Sequence, residues 1–160
     1  MRDMTTGWDS GKGKITWQKL RSKGVRPSAH RLAVAEYVLT TAEHPSAEQV
    51  LERVRARFPL LSRATVYNTL NLFVEKGLLR ELVLSEGRVV FDPKLDRHHH
   101  FVDDETGMIE DVPWSALEVG DPAAIEGYDV REYMVVMRGK KKSRASRSRS
   151  APPTNTSKEE

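Results

Sequence analysis

The sequence predicts an α+β protein built from two small modules, and three observations carry that reading. Between residues 16 and 76 apolar side chains recur at helical spacing, whereas from residue 79 onward they fall into short β-branched runs separated by Gly- and Pro-containing turns. The charge also changes sign along the chain: residues 16–93 carry 12 Lys/Arg against 8 Asp/Glu, residues 94–139 carry 4 against 11, and residues 140–160 carry 7 against 2. The formal net charge of +3 conceals this asymmetry. A basic first module suits a polyanion, and an acidic second module suits cations or a partner chain.

Taken in order, residues 1–14 are rich in Gly, Ser and Thr without apolar period, and they read as a disordered N-terminus. A short helix is expected from Thr16 to Lys23, stopped at Gly24. Pro27 and Ser28 open a second helix, Ser28–Thr40, on which Leu32, Val34, Ala35, Val38 and Leu39 supply the apolar positions. After His44-Pro45, Ser46 with Gln49 three residues on is a capping-box pattern for a third helix, broken by Phe58-Pro59. Ser62 caps a fourth, Arg63–Lys76. Its Val66, Leu70, Phe73 and Val74 form one apolar stripe, and Thr65, Tyr67, Asn68, Asn71 and Glu75 lie opposite. Leu79–Leu84 and Arg88–Phe91 read as strands joined at Ser85-Glu86-Gly87. Helices followed by a hairpin is the order of a winged helix, so residues 15–93 are expected to bind double-stranded DNA with the fourth helix in the major groove.

The second module is expected over residues 94–139. Phe101–Asp103 and Met108–Asp111 look like strands around a turn at Glu105-Thr106-Gly107, Trp114–Val119 like a short helix, and Val130–Arg138 like a buried strand. So few large apolar groups make a small core, better completed by a second copy, and a homodimer is expected. Residues 140–160 read as a disordered basic tail. No run reaches the roughly 18 apolar residues of a membrane span, and the N-terminus lacks an export-type apolar region, so the expected location is the cytoplasm. With no cysteine, the chain excludes disulfides, thiolate catalysis and any Cys-type structural zinc.

The stretch around which the rest is organised is FDPKLDRHHHFVDDETGMIED, residues 91–111. Imidazole and carboxylate are ligands for a divalent ion such as Fe2+, Mn2+ or Zn2+. In an extended segment His98 and His100 point the same way and His99 the other. The plain alternative is a solvated His-rich turn. A metalloenzyme with a His/Asp site has no motif here, such as HExxH, to support it, and the chain is not expected to be an enzyme.

RPSAHRLAVAEYV, HPSAEQV, FPLLSRATVYNTLNLFVEKGLLRE, VVFDP, DRHHHF and GMIEDV stand in the order and spacing of the ferric uptake regulator family. The resemblance covers about residues 16–139. It implies a dimeric, metal-responsive bacterial transcriptional repressor that binds inverted-repeat operators, with a winged helix followed by a small α/β dimerisation and metal-sensing domain. It further implies one regulatory metal per subunit at His44, Asp92, His98, His100 and Asp111, drawn from both domains, so that occupancy sets the hinge angle. Tyr67 matches the recognition-helix tyrosine and Arg31 a basic residue near the DNA backbone; Ser62, Arg63, Thr65, Asn68 and Asn71 complete the expected DNA face. Where many relatives hold zinc by two CxxC pairs, the first pair's positions here are Asp103 and Thr106. The HHH segment without cysteine resembles the iron response regulator branch, which is associated with haem, and makes His99 a candidate haem ligand. Asp111 resembles the peroxide-sensing branch, in which peroxide reacting at ferrous iron in the site oxidises a ligand histidine. Iron, manganese, haem and peroxide acting through iron all stay open as signals. The other functional reading is a constitutive winged-helix repressor whose histidines are structural.

Overall fold

Three serines decide where three of the helices begin. In the computed structural model, which describes residues 11–84, 87–121 and 125–141, the Ser28 hydroxyl accepts from the Arg31 N–H ahead of α2 (Ala29–Val38). Ser46 and Gln49 form the reciprocal capping box of α3 (Ala47–Arg55), and the Ser62 hydroxyl accepts from the Thr65 N–H ahead of α4 (Arg63–Glu75). Each bond satisfies a donor that the first helical turn leaves without an intrahelical partner. The described residues fall into two units, one ending at Arg97 and one beginning at His98.

In the first unit Val34 and Val38 of α2, Val50 of α3, and Val66, Leu70 and Phe73 of α4 are fully buried and meet in one core. The end of α4 explains how the chain leaves that core. Gly77 takes φ 62°, its N–H reaches the Val74 carbonyl, and the Leu78 N–H reaches Phe73. That double closure needs a left-handed residue, which glycine adopts without a Cβ penalty. Two strands follow, β1 (Arg80–Val83) and β2 (Val89–Asp92), antiparallel with Arg80 opposite Asp92 and Val83 opposite Val89. Ser85 and Glu86 of the expected hairpin turn lie outside the described residues.

One expectation fails at the start of this unit. A disordered segment to residue 14 is replaced from Gly11 onward by α1 (Gly11–Ser22). GKGK has poor intrinsic helix propensity, but the helix packs on α2 and buries Leu20 completely, and tertiary packing outweighs propensity. The remaining residues of that segment, 1–10, lie outside the described ones.

The second unit is a three-stranded sheet in the order β4-β3-β5, with β3 (His98–Asp103) between β4 (Ile109–Pro113) and β5 (Val136–Gly139). β3 runs antiparallel to β4 and parallel to β5. The expected strand from Phe101 therefore begins three residues earlier, because the histidines join the ladder. Trp114–Val119 is not a helix: a single 3-10 turn spans Trp114–Ala116. The buried strand expected over Val130–Arg138 shrinks to β5 at the sheet edge. Its Val136 is exposed, as are Ile125, Tyr128 and Met134 nearby in sequence. Hydrophobic composition suggested burial, but an edge strand in a sheet this narrow has little to cover it. The β3–β4 turn is held by Asp103, whose Oδ1 accepts the Glu105 and Thr106 N–H groups at 2.8 and 3.0 Å, while the Gly107 N–H reaches its carbonyl. Those two backbone donors, Thr106 first, hold the Asp103 carboxyl below its usual range. No helix among the described residues is long and apolar enough to cross a membrane. The expected tail beyond Lys141 lies outside the described residues.

Candidate metal centre and reading helix

Strand alternation and register together fix the second unit's donor set. His98 and His100 share one face of β3, and His100 is the direct cross-strand partner of Asp111 on β4. Directly opposed residues of an antiparallel pair point to the same face, so two imidazoles and one carboxylate meet there. The two Nε2 atoms are 3.0 Å apart, and His98 Nε2 lies 3.5 Å from Asp111 Oδ1. Both histidines are buried. In one tautomer a ring donates to its neighbour; in the other, both lone pairs face a single cation. Ligand bonds of about 2.1 Å at right angles place two nitrogens about 3.0 Å apart, so the spacing fits two adjacent corners of a coordination sphere.

The first unit carries its own pair. The His44-Pro45 loop is pinned to β2 by the bond from the Phe91 N–H to the Pro45 carbonyl, 3.0 Å, and Ser46 then starts α3. This brings His44 Nε2 to 3.8 Å from Asp92 Oδ1, with both side chains almost wholly buried. The distance is too long for a hydrogen bond. It is ordinary for two atoms that approach a common ion. Asp92 Oδ1 also accepts the Lys94 N–H at 2.7 Å, which fixes the carboxylate at the end of the strand.

His99 takes the opposite face of β3, as alternation requires, but it does not reach solvent. The ring is fully buried and stacks on Trp114 at 4.4 Å, and Trp114 in turn contacts Tyr133 at 4.9 Å. Its Nδ1 accepts the Val135 N–H at 3.2 Å. In the neutral ring the proton therefore sits on Nε2, which is buried without a hydrogen-bond partner among the described residues. Alternation along β3 shows which side His99 takes; it carries no sign of Trp114 and Tyr133 closing over it.

On α4 the expected DNA face is laid out along one side. Arg63, Asn68 and Asn71 are exposed, Thr65 and Tyr67 half-buried, and Ser62 exposed at the cap. Arg31 on α2 is half-buried and donates to the Arg26 carbonyl at 2.8 Å. Sequence reasoning missed one member of this surface. Glu48, on the first turn of α3, accepts from both the Tyr67 hydroxyl and Arg63, each at 2.5 Å. The Tyr67 bond above all holds the Glu48 carboxyl below its usual range. No periodicity within α4 shows this, because the partner is 19 residues away.

The comparisons with known proteins agree with one another. The ferric uptake regulator family matches residues 22–137. The peroxide operon regulator of Bacillus subtilis (strain 168) is 33% identical over 128 residues, covering 79% of this chain and 88% of that protein. A ferric uptake regulator from Francisella tularensis, solved with iron, aligns with a TM-score of 0.64 at 22% identity, over 74% of this chain and 93% of that one. One from Pseudomonas aeruginosa, solved with manganese, aligns at 0.58 and 24% identity, over 81% and 99%. These two structures speak to the fold, and the sequence matches carry the kinship. The chain belongs to the ferric uptake regulator family.

Proposed function

We propose that this chain is a metal-dependent transcriptional repressor that binds inverted-repeat DNA operators as a homodimer, with residues 15–93 reading DNA and residues 94–139 pairing the subunits. As a member of this family the chain is a regulator and not an enzyme. In this reading one divalent ion per subunit is held by His44, Asp92, His98, His100 and Asp111. The observation that carries it is the triple of His98, His100 and Asp111 on one face of the β3–β4 pair, with two imidazole nitrogens 3.0 Å apart. Three donors fall short of a full coordination sphere, and His44 with Asp92 supplies donors of the same chemistry. Only five residues separate Asp92 from His98 in the chain. An ion shared across that short connection ties the angle between the modules to occupancy, and hence the spacing of two reading helices in a dimer. A twofold dimer reads an inverted repeat.

Iron or manganese is favoured as the effector. Relatives solved with iron and with manganese support this choice, and so does the B. subtilis relative, a peroxide operon regulator. Ferrous iron, if held there, would supply reactivity towards peroxide, and the part of His44, His98, His100, Asp92 and Asp111 would be to hold it. Haem has less in its favour. To ligate through Nε2, His99 would have to shift its proton to Nδ1, give up the Val135 bond and leave Trp114. On α4, Tyr67, Asn68 and Asn71 supply hydrogen-bonding groups for base edges, with Ser62, Arg63 and Thr65 at the helix start and Arg31 for phosphate.

The test is an anaerobic titration of wild type, His98→Ala, His100→Ala and His99→Ala with Mn(II), Fe(II) and haemin, followed by operator binding. His98→Ala and His100→Ala are expected to lose more than about 100-fold in metal affinity, beyond what second-shell changes produce. Their DNA affinity should stop responding to metal, while His99→Ala keeps the response. An unchanged response in both His98→Ala and His100→Ala removes these histidines from the sensing site, and a wild type that does not respond at all leaves a constitutive repressor with structural histidines.

A further inference from the structure

The Tyr67 hydroxyl and the Arg63 guanidinium, two groups that the DNA-binding reading assigns to the duplex, are both spent on one carboxylate oxygen. Glu48 Oε1 accepts from Tyr67 and from Arg63 at 2.5 Å each, and Arg63 also reaches the Tyr67 hydroxyl at 3.2 Å and lies 5.3 Å above its ring. The cluster is on the surface, with 55% of the Glu48 side chain and 66% of Arg63 exposed. It borders a groove of about 550 Å³ between α3, α4 and the β1–β2 hairpin, lined also by Asn71 and Arg88. An anionic oxygen that takes one guanidinium and one hydroxyl reproduces the way a phosphate oxygen is held.

We propose that Glu48 is a specificity-determining residue that stands in for a DNA phosphate on the reading face. It competes with the duplex backbone for Arg63 and Tyr67 and so penalises nonspecific DNA. This rests on the DNA-binding reading above. A random duplex offers phosphates alone, and each must displace Glu48 and then lie beside its charge. A correct site adds base-edge contacts from Tyr67 and Asn71 that offset that penalty. On a correct site the Tyr67 hydroxyl turns to a base edge and only Arg63 is contested by phosphate, so the carboxylate lowers affinity for all DNA but lowers it most where both donors must go to the backbone. The plainer role for an acid at this position is to complement the dipole at the start of α3. That role predicts a change in melting and none in DNA affinity.

The experiment compares full-length wild type, Glu48→Gln and Glu52→Gln, each loaded with Mn(II). Glu52 is an exposed acid on the same helix whose substitution changes the net charge equally. Binding is measured across a salt series on a random-sequence duplex and on a duplex selected from a random library with wild-type protein. Glu48→Gln is expected to bind the random duplex roughly 3- to 10-fold more tightly. Its salt slope should steepen by about 0.9 for each arginine delivered to a phosphate. The selected duplex should gain less, so the ratio between the two falls. Thermal melting is followed in parallel, and Glu48→Ala reads the same change should the Gln variant melt early. Unchanged or weaker random-duplex binding by a folded variant overturns the proposal, as does an equal gain in Glu52→Gln. If wild type binds neither duplex, the DNA-binding reading itself falls and takes this inference with it.

Discussion

His98, His99 and His100 occupy successive positions of β3, and one step of alternation sends their rings to different fates. Two converge beside Asp111, while the middle one is buried under Trp114 with its Nδ1 taken by the Val135 N–H. The alternation itself was legible, because extended geometry follows from sequence period alone. The burial of His99 was not, since Trp114 comes from beyond β4 and Val135 from the approach to β5. Glu48 escaped for the same reason: its partners lie on another helix. Local chemistry, by contrast, was readable at Ser46. Its hydroxyl caps the Gln49 N–H, and Gln49 returns a bond to the Ser46 N–H at 2.8 Å. Ser46→Ala should therefore lower unfolding free energy by about 1 kcal/mol in a denaturant titration. Because that cap follows directly on the His44-Pro45 loop, a fall in metal affinity should accompany it.

At the scale of elements, α4 shows how one helix divides its work. The apolar stripe expected from i, i+4, i+7 spacing is where the core sits, and the start and stop residues are those the pattern indicated, Ser62 and Gly77. The two faces should answer differently to truncation. Leu70→Ala, at a fully buried position, is expected to cost about 2–5 kcal/mol of stability, read by chemical denaturation. Tyr67→Ala should lower stability less than Leu70→Ala, because its ring is only partly buried against the core, and should cost about 1–3 kcal/mol in specific DNA binding, with a smaller loss on random DNA. Equal losses on both DNAs would remove Tyr67 from base reading. Elsewhere the elements were less legible. α1 starts on residues with weak helical propensity and is held by its packing on α2. β5 looked buried because VREYMVVMR is apolar and β-branched, yet only its last part pairs with β3, at an edge. Composition records what a segment is able to bury, and position in the sheet decides how much it does.

For the whole molecule, the charge asymmetry bears on where a truncation matters. Lys140 pairs with Glu105 at 2.7 Å and Lys141 pairs with Glu110, so the first residues after β5 are tied back to the turn and to β4. A chain ending at Lys141 keeps both pairs and is expected to match the full chain in melting to within about 0.5 kcal/mol. It loses five Lys/Arg against two Asp/Glu, so affinity for random DNA should weaken and its salt slope become shallower. A change in subunit association on that truncation would instead make the tail part of the interface. The β3–β4 turn has a different consequence. Where many relatives place a thiolate pair, Asp103 and the Glu105 and Thr106 N–H groups close the bend by hydrogen bonds alone. A chelator finds no Cys-held zinc to strip at residues 103–106, and an oxidant finds no thiol there. Should the proposed site report peroxide through its histidines, the bend next to them has no thiolate–zinc link whose loss would open it.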